Sequence, residues 1–456
     1  MSDRSQRDET PDRADSFIDS LVESLGSRAL CHVENQAFYE SLLTRHSSSL
    51  RLRRNVAPES IPFSLRPVPW YPLGFDSTDP DIRPSRCINY AAGDFFLQDS
   101  GSMLALAACD ADEPPQVNRL ICDLCAAPGG KASALLESVG DGFLLANEPI
   151  KSRLAPLAYN LARTGCDRYC ISSLDPEVLA DRMRGVFDLV LADVPCSGQA
   201  LLGKGKQSLA AVSKTQVEHS ASRARRILAA AIDLVRPGGQ LVLSTCTFAE
   251  AENESQVHWL LEKDGVSPFH HSRLADYCSD ETKCCYRLWP HRHGCAGSFA
   301  ASLVCDRDNQ VKERRTKKGR QRKDSMRLPD ELKTWCSRDP LRYKVSGAVI
   351  WAWPDDVPDW VDSISVGGPE LAYRTGQTWK PSHDLALRRD HLSDSVASIE
   401  VDEETAFSFL SGQPIPCLKP GWCIVRHHSR PLGWVKASQG IGKNHLPSAA
   451  RMIRAS

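Results

Sequence analysis

Two cysteines each follow an apolar run of strand length. The first run, residues 187–192, ends at Asp193, and Cys196 lies three residues further on. The second run leads through hydroxyl side chains to Cys246. A thiolate is the strongest ordinary nucleophile near neutral pH, so one cysteine could bond to a substrate while the other resolves the adduct. The alternatives are an inert buried cysteine after an Asx-type turn, or a disulfide between the two cysteines.

A second group of candidate residues lies earlier, where an apolar run ends at Asp123 and a loop of small residues follows. The loop residues are Cys125, Ala126, Ala127, Pro128, Gly129, Gly130 and Lys131. Small residues and paired glycines between a strand and a helix let backbone amides approach a ligand closely. The spacing is not Gly-x-Gly-x-x-Gly, which makes a dinucleotide the weaker interpretation.

Acidic residues end the next two predicted strands. Glu148 lies on the order of 20 residues past Gly130, a position that suits the hydroxyls of a ribose. Asp175 closes the following strand, where it could meet an adenine edge. Since Pro149 and Pro176 follow them, both could also be helix N-caps, which is compatible with ligand binding. This layout predicts a cofactor that contains a nucleoside.

The elements that must position these residues alternate between strand and helix patterns. Strands are predicted at 119–124, 142–147, 168–172, 186–192 and 240–245, and further strands of the same sheet at 286–289 and 297–304. Helices are predicted at 132–138, 151–164, 176–184 and 216–235. Such alternation is typical of a doubly wound parallel sheet, in which ligands bind at the carboxyl ends of the strands. Cys196 and Cys246 are therefore expected to face a common pocket.

The flanking regions have other compositions. Apolar spacing predicts helices at 18–25 and 38–43. Residues 50–54 alternate and contain three arginines, which favours either a strand edge that meets phosphates or a solvated charged face. The basic residues 312–323 predict a spacer or an arm that tracks phosphates. Short strands between Gly and Pro turns after residue 326 predict a small, mostly β module.

Composition narrows the class of protein. With 456 residues, 41% hydrophobic and 25% charged, the chain should fold into several globular domains. A net charge of −1 excludes a globally basic nucleic-acid binder, so any such surface must be local. The 17 cysteines are scattered, and no signal peptide or membrane-spanning run is evident. We expect a cytoplasmic protein with reduced thiols and no membrane partner.

Two groups of cysteines lie close enough together in the sequence to suggest a metal site. Cys122 and Cys125 form a Cys-x-x-Cys pair, but no second pair follows at zinc-site spacing. The cysteines and histidines between Cys278 and Cys295 fit no regular zinc module, so scattered structural residues are the stronger interpretation. No metal is predicted.

Several motifs occur in an order that resembles the Nol/Nop/Sun RNA (cytosine-5) methyltransferases. They are residues 95–103, 123–131, 193–198 and 244–247, with 287–291 and 297–299 resembling the last motif of that catalytic domain. Residues 379–387, 432–436 and 443–445 resemble the RNA-binding, PUA-like tail of the RsmF-type bacterial branch, which acts on 16S ribosomal RNA.

The resemblance implies an α/β fold. Its parts are a Rossmann-like methyltransferase domain, a small N-terminal α/β subdomain and a C-terminal, mostly β PUA-like module. The expected boundaries are a disordered tail at 1–15, an N-terminal RNA-binding subdomain at 16–91, the methyltransferase domain at 92–308, a basic linker at 309–325 and the PUA-like RNA-binding region at 326–456.

The resemblance also implies a chemistry. S-adenosylmethionine is the expected cofactor, bound by the Cys125–Lys131 loop, Glu148, Asp175 and Asp193. Cys246 matches the nucleophile that adds to carbon 6 of a flipped cytosine.

The other catalytic positions follow from the same resemblance. Asp193 is expected to contact the ring edge, Cys196 to assist loss of the carbon 5 proton and release of the enzyme, and Lys131 to reach the catalytic pocket. The expected partner is ribosomal RNA or the small ribosomal subunit, met by a monomer. Transfer RNA as substrate, or a non-catalytic role in ribosome assembly, are the alternatives.

Overall fold

The structure, a computed structural model, describes residues 19–26, 32–307, 332, 335, 341–388 and 396–452. The predicted tail at 1–15 and the basic linker at 309–325 lie outside these residues. In the part of the chain that is described, no helix is long and apolar enough to cross a membrane.

The chain forms helices and strands in the following order. The helices are α1 (19–25), α2 (His32–Leu43), α3 (Ile88–Ala91), α4 (Leu104–Ala108), α5 (Gly130–Ser138), α6 (Leu154–Ala162), α7 (Pro176–Met183), α8 (Lys214–Leu234), α9 (Glu254–Leu261), α10 (Pro290–His293), α11 (Val361–Ile364), α12 (His383–Leu387) and α13 (Glu403–Leu410). The strands are β1 (Ser49–Leu52), β2 (Leu65–Pro67), β3 (Gly74–Ser77), β4 (Phe95–Leu97), β5 (Leu120–Asp123), β6 (Phe143–Asn147), β7 (Tyr169–Ser172), β8 (Phe187–Asp193), β9 (Val235–Thr245), β10 (Val266–Pro268), β11 (Cys285–Leu288), β12 (Ser298–Cys305), β13 (Leu341–Ser346), β14 (Val349–Pro354), β15 (Glu370–Thr375), β16 (Thr378–Pro381), β17 (Ala397–Glu400), β18 (Ile415–Pro416), β19 (Gly421–His427), β20 (Arg430–Ser438) and β21 (Ile441–Asn444).

The largest sheet has the order β10-β12-β9-β8-β5-β6-β7, with β11 paired to β12. Strands β5 to β9 are parallel, and β10, β11 and β12 add antiparallel pairs at one side. Helices cover both faces, which explains why the parallel strands are apolar on both sides. The predicted Rossmann-like α/β domain is confirmed, including the two late strands that join the same sheet.

The strand order reverses between β5 and β8. From this point β6 and β7 extend in one direction and β9 in the other, so the loops after β5 and β8 diverge and leave a crevice. Asp123 ends β5 and Asp193 ends β8, and Cys246 directly follows β9. The topology therefore gathers the candidate residues at one edge of the sheet.

The N-terminal sheet has the order β2-β3-β1-β4, which makes β1 an inner strand. Arg51 is buried, 2.5 Å from Glu137 of α5, and also donates to Ser133 Oγ. Arg54 donates to the backbone carbonyls of Ala111, Asp112 and Glu113. The prediction of a strand was right, but the edge that meets phosphates and the solvated face are both wrong for Arg51. Its guanidinium joins this sheet to the methyltransferase domain.

The C-terminal region contains two sheets. Strands β13 to β16 form the first, and β17 to β21 form the second, in the order β17-β19-β20-β21-β18. The first packs against the edge of the large sheet, because Trp353 Nε1 donates to Tyr169 O and Ile171 exchanges backbone hydrogen bonds with the segment at Val366 and Gly367. This contact covers the outer edge of β7. The sequence predicted one β module in this region, whereas the structure has two sheets. Short alternating strands do not reveal which sheet they join.

Candidate active site

The backbone of the loop after β5 is held in place by hydrogen bonds from the segment that follows β6. Arg153 Nη2 donates to Ala127 O at 2.6 Å, and Asn160 Nδ2 donates to Pro128 O at 2.8 Å. Gly129 adopts a φ of +108°, and a Cβ there would lie 3.0 Å from Asn160 Cβ. Only glycine fits this left-handed, crowded position. The loop thus turns into α5 with its backbone close to the crevice.

Glu148 and Asp175 occupy the ends of the next two strands. The buried Glu148 carboxylate accepts from the Ile150 N–H at 2.9 Å and lies 3.2 Å from Arg153 Nη1. Asp175 caps α7 by accepting from the Glu177 N–H, and it also pairs with Arg226 at 3.1 Å. The hydrogen bond from Arg226 lowers the pKa of Asp175, with burial opposing the shift. The capping interpretation of Asp175 is therefore seen, and its ligand role stays a prediction.

Asp123 lies fully buried at the end of β5, beside the crevice. Neither carboxylate oxygen has a hydrogen-bond partner of good geometry among the described residues. Burial, with repulsion from Asp193, raises the pKa of Asp123 to about 8, although Lys131 opposes the shift. The group is therefore mostly a neutral acid at pH 7 and can donate a hydrogen bond. Sequence reasoning did not include Asp123 among the site residues, even though the apolar run that ends there carries the same signal as Asp193.

Lys131 and Asp193 form an ion pair across the crevice. Lys131 Nζ lies 2.8 Å from Asp193 Oδ2, and the two side chains are 15% and 33% exposed. Burial disfavours the ammonium form, but Asp193 outweighs it and raises the pKa of Lys131. The lysine therefore stays charged, and the remaining lone pairs of Asp193 can still accept hydrogen bonds.

The two cysteine sulfurs are in contact. Cys196 Sγ lies 3.3 Å from Cys246 Sγ, and the Cys246 N–H points at Cys196 Sγ from 3.4 Å. The hydrogen bond from Cys196 lowers the pKa of the Cys246 thiol, with burial and the charge of Asp193 opposing and Lys131 assisting. The same hydrogen bond, together with burial and the negative charge of Cys246, raises the pKa of Cys196. Cys246 is therefore the more readily ionised thiol of the two.

Other cysteines and histidines serve the core. Cys284, Cys285 and Cys295 are buried, and His293 packs against Trp70 and Tyr277. In the described residues, no group of three His, Cys, Asp or Glu side chains converges as a metal site would require.

The chain matches known families over two regions. Residues 113–304 match the family described as 16S rRNA methyltransferase RsmB/F, and residues 396–452 match the methyltransferase RsmF PUA domain. The methyltransferase domain of this chain is therefore similar to the RsmB/F methyltransferases. The second match places the PUA domain on the sheet formed by β17 to β21.

Individual relatives agree with this family. A ribosomal RNA small subunit methyltransferase F of Shewanella piezotolerans is 27% identical, over 94% of this chain and 96% of its own. A protein of the same name from Klebsiella pneumoniae is 36% identical, over 53% of this chain and 52% of its own. A solved methyltransferase homologue from Pyrococcus horikoshii covers 64% of this chain and 99% of its own with a TM-score of 0.54, and at 23% identity it shows the fold alone. The resemblance to RNA methyltransferases of the RsmF type is confirmed, and the protein is an RNA methyltransferase.

S-adenosylmethionine is the cofactor of this RNA methyltransferase, and the crevice fits it. The Gly129 turn has no room for a side chain, so the loop backbone can approach a ligand. Both amide atoms of the buried Gln98 lack a partner in the described structure, and the amide carbon lies 3.9 Å from where a Cβ on Gly130 would be. Unpaired buried groups at Gln98 and Asp123 suit a polar ligand. The residues that would hold it are the Cys125–Lys131 loop and Glu148.

Proposed function

We propose that this RNA methyltransferase modifies carbon 5 of a cytosine in 16S ribosomal RNA through a covalent bond from Cys246. The observation that carries the proposal is the 3.3 Å contact between Cys246 Sγ and Cys196 Sγ beside the crevice. A ring nitrogen or a ribose oxygen attacks a methyl group with its own lone pair and needs no thiol. A pair of thiols beside the cofactor site therefore favours methylation of a ring carbon.

The chemistry needs a thiolate because carbon 5 of cytosine is a poor nucleophile while the ring is intact. When the Cys246 thiolate adds to carbon 6, electron density moves to carbon 5, which can then attack a methyl group. S-adenosylmethionine, when bound, supplies that methyl group in an electrophilic form. The lowered pKa of Cys246 increases the fraction of thiolate near neutral pH.

Asp193 and Lys131 orient the base. The target cytosine must leave its stack to reach a sulfur at the sheet edge. Asp193 can accept hydrogen bonds from the ring edge and so favour the ring-protonated form, which is more electrophilic at carbon 6. Lys131, 2.8 Å away, holds that carboxylate in place.

Cys196 acts after methyl transfer. Once Cys246 is bound to carbon 6, it is a thioether and no longer repels a second thiolate. Two of the causes that raise the pKa of Cys196, the hydrogen bond to Cys246 and its negative charge, are then absent. Cys196 can ionise, accept the proton from carbon 5 and allow the bond between Cys246 and carbon 6 to break.

The RNA contact is supported by a cleft of about 490 Å³ between the N-terminal sheet and the PUA domain. Arg83 and Arg86 line it from one side, and His427, His428 and Arg430 from the other. Arg430 pairs with Asp94 at 2.5 Å, whereas no ion pair within the described residues involves the Arg83 or Arg86 side chains. Two free guanidinium groups suit RNA phosphates.

The test measures transfer of a labelled methyl group to 16S ribosomal RNA by the purified chain. We expect Cys246→Ala to lose activity and form no adduct. Cys196→Ala should accumulate a protein–RNA adduct on denaturing gels. Full activity of Cys246→Ala would overturn the nucleophile assignment, and label recovered in a product other than 5-methylcytosine would overturn the reaction.

The choice of 16S ribosomal RNA is supported by the names of the relatives. Bisulfite sequencing of ribosomal and transfer RNA, with and without the protein, identifies the modified class. A protein-dependent site in transfer RNA alone would contradict the proposal.

A further inference from the structure

The residue after each cysteine carries a hydroxyl group, and the two hydroxyls are bonded to each other. Ser197 Oγ lies 2.7 Å from Thr247 Oγ1, and both residues are fully buried. We propose that this hydroxyl bridge between Ser197 and Thr247, held by Glu252, sets the distance between the two cysteine sulfurs. The three are positioning residues, and their part in catalysis rests on the proposed function.

The bridge joins loops that come from different strands. Ser197 belongs to the loop after β8, and Thr247 belongs to the loop after β9. Because each is the immediate neighbour of a cysteine, a change in the distance between the hydroxyls displaces the sulfurs almost directly. The β-ladder of β8 and β9 ends at Asp193 and Ser244. Beyond it, the backbones of the two loops meet where the Ala200 N–H donates to Cys246 O at 3.0 Å, and the hydroxyl bridge adds a side-chain contact next to both cysteines.

Glu252 holds the Ser197 side of the bridge through a hydrogen bond. One of its oxygens accepts from the Ser197 N–H at 2.8 Å. Burial raises the pKa of Glu252 to about 7, while the hydroxyl and N–H of Ser197, the charge of Arg223 and the hydroxyl of Thr247 oppose the shift. Hydrogen bonds of a buried carboxyl group are strong because water does not compete for them.

Asn253 fixes the other loop on both sides of Cys246. Thr245 Oγ1 donates to Asn253 Oδ1 at 2.6 Å, and Asn253 Nδ2 donates to Thr247 O at 2.9 Å. Consecutive residues, Glu252 and Asn253, therefore hold one loop each. The segment after β9 thus holds the loops of both cysteines.

The sulfur distance matters because the hydrogen bond from Cys196 is the main cause of the lowered pKa of Cys246. A hydrogen bond weakens steeply with distance, so separated loops should leave Cys246 less acidic. They should also move Cys196 away from carbon 5 of a bound cytosine. If the two hydroxyls only completed each other's hydrogen bonding in the core, their loss would change neither the acidity of Cys246 nor the position of Cys196.

The test compares Thr247→Val and Ser197→Ala with the conservative Thr247→Ser. The matched control is Ser138→Ala, which removes a buried hydroxyl bonded to Leu135 O on α5, away from the cysteines. Alkylation of Cys246 by iodoacetamide is followed across pH by mass spectrometry of the full chain, with Cys196→Ala as the reference for a lost hydrogen bond. Thermal melts confirm that each variant is folded.

We expect the alkylation midpoint of Thr247→Val and Ser197→Ala to rise by at least about half a pH unit toward that of Cys196→Ala. Thr247→Ser and Ser138→Ala should keep the wild-type midpoint. Wild-type midpoints in both folded variants that lack a bridge hydroxyl would overturn the proposal, as would an equal rise in Ser138→Ala.

A second measurement separates this proposal from the proposed function. With 16S ribosomal RNA, Thr247→Val should accumulate more denaturation-resistant adduct than the wild type, as Cys196→Ala does. If the alkylation midpoints shift as expected but no variant, Cys196→Ala included, forms an adduct, the bridge stands and the covalent reaction is wrong. If adducts form but the midpoints do not move, the reaction stands and the bridge is wrong.

Discussion

The ammonium group of Lys131 lies 2.8 Å from Asp193 Oδ2, so an ion pair joins the first turn of α5 to the end of β8. These two elements flank the point at which the strand order reverses. The same pair therefore connects the loop that would hold the cofactor with the carboxylate that would face the base. A substitution that breaks the pair should therefore disturb both the cofactor loop and the position of the Asp193 carboxylate.

The first prediction concerns this pair. Lys131→Met keeps the length of the side chain but leaves Asp193 without its charged partner, so we expect the rate of methyl transfer to fall by about 100-fold. Arg184→Met is the control, because it removes an ion pair with Asp233 at the opposite end of the sheet. Rates are measured at saturating cofactor and RNA. Equal rates for the two variants would show that Lys131 has no role in methyl transfer.

The second prediction concerns Gly129. An alanine there meets both a positive φ and a Cβ position 3.0 Å from Asn160 Cβ, so the loop must move. We expect Gly129→Ala to weaken S-adenosylmethionine binding by at least about 10-fold, since strain of about 1–2 kcal/mol is added to the displacement. Gly421→Ala has a positive φ of +87° with no atom within 4 Å of the added Cβ, and isolates the strain. Calorimetric affinities that match between the two would show that the loop is not shaped for the ligand.

The sequence predicted which residues gather at the crevice, because the topology of the sheet positions them. Apolar runs that end on Asp193 and near Cys246 had to be parallel strands, and parallel strands at a switch point deliver their last residues to one crevice. The contact between Cys196 and Cys246 follows from that rule. What the rule does not contain is side-chain detail, such as the 3.3 Å contact distance of the two sulfurs or the hydroxyl bridge beside them.

The failures of sequence reasoning have a common physical cause. An alternating segment with arginines looks exposed, yet Arg51 is buried because Glu137, far away in the chain, supplies its counter-charge. Asp123 was passed over because an unpaired buried carboxyl group cannot be recognised without its surroundings. In both cases the environment is set by residues distant in the chain, which supply a partner for Arg51 and none for Asp123.

The third prediction follows from the pKa of Asp123. The folded chain holds the proton up to about pH 8, whereas a free carboxyl group loses it near 3.8. Between these values the folded state binds more protons, so its stability falls as pH rises, by up to about 1.4 kcal/mol per pH unit. Asp123→Asn removes the titration, so the variant should gain about 2 kcal/mol relative to the wild type between pH 6 and 8.5.

Urea unfolding at the two pH values measures this change. The exposed Asp181→Asn on α7 serves as the control and should follow the wild type at both. A parallel pH dependence for Asp123→Asn and the wild type would mean that Asp123 is ionised throughout.

The fourth prediction concerns the cleft between the N-terminal sheet and the PUA domain. If Arg83 and Arg86 contact RNA phosphates, replacing both with glutamine should weaken RNA binding and reduce the slope of log affinity against log salt by about 1.5. The loss should be the same for RNAs of different sequence, because phosphate contacts carry no base information. The control replaces Arg182 and Arg184 with glutamine and so removes the same charge at the C-terminal end of α7, where Arg182 is exposed and Arg184 pairs with Asp233. If both double variants change the slope equally, net charge and not the cleft determines binding.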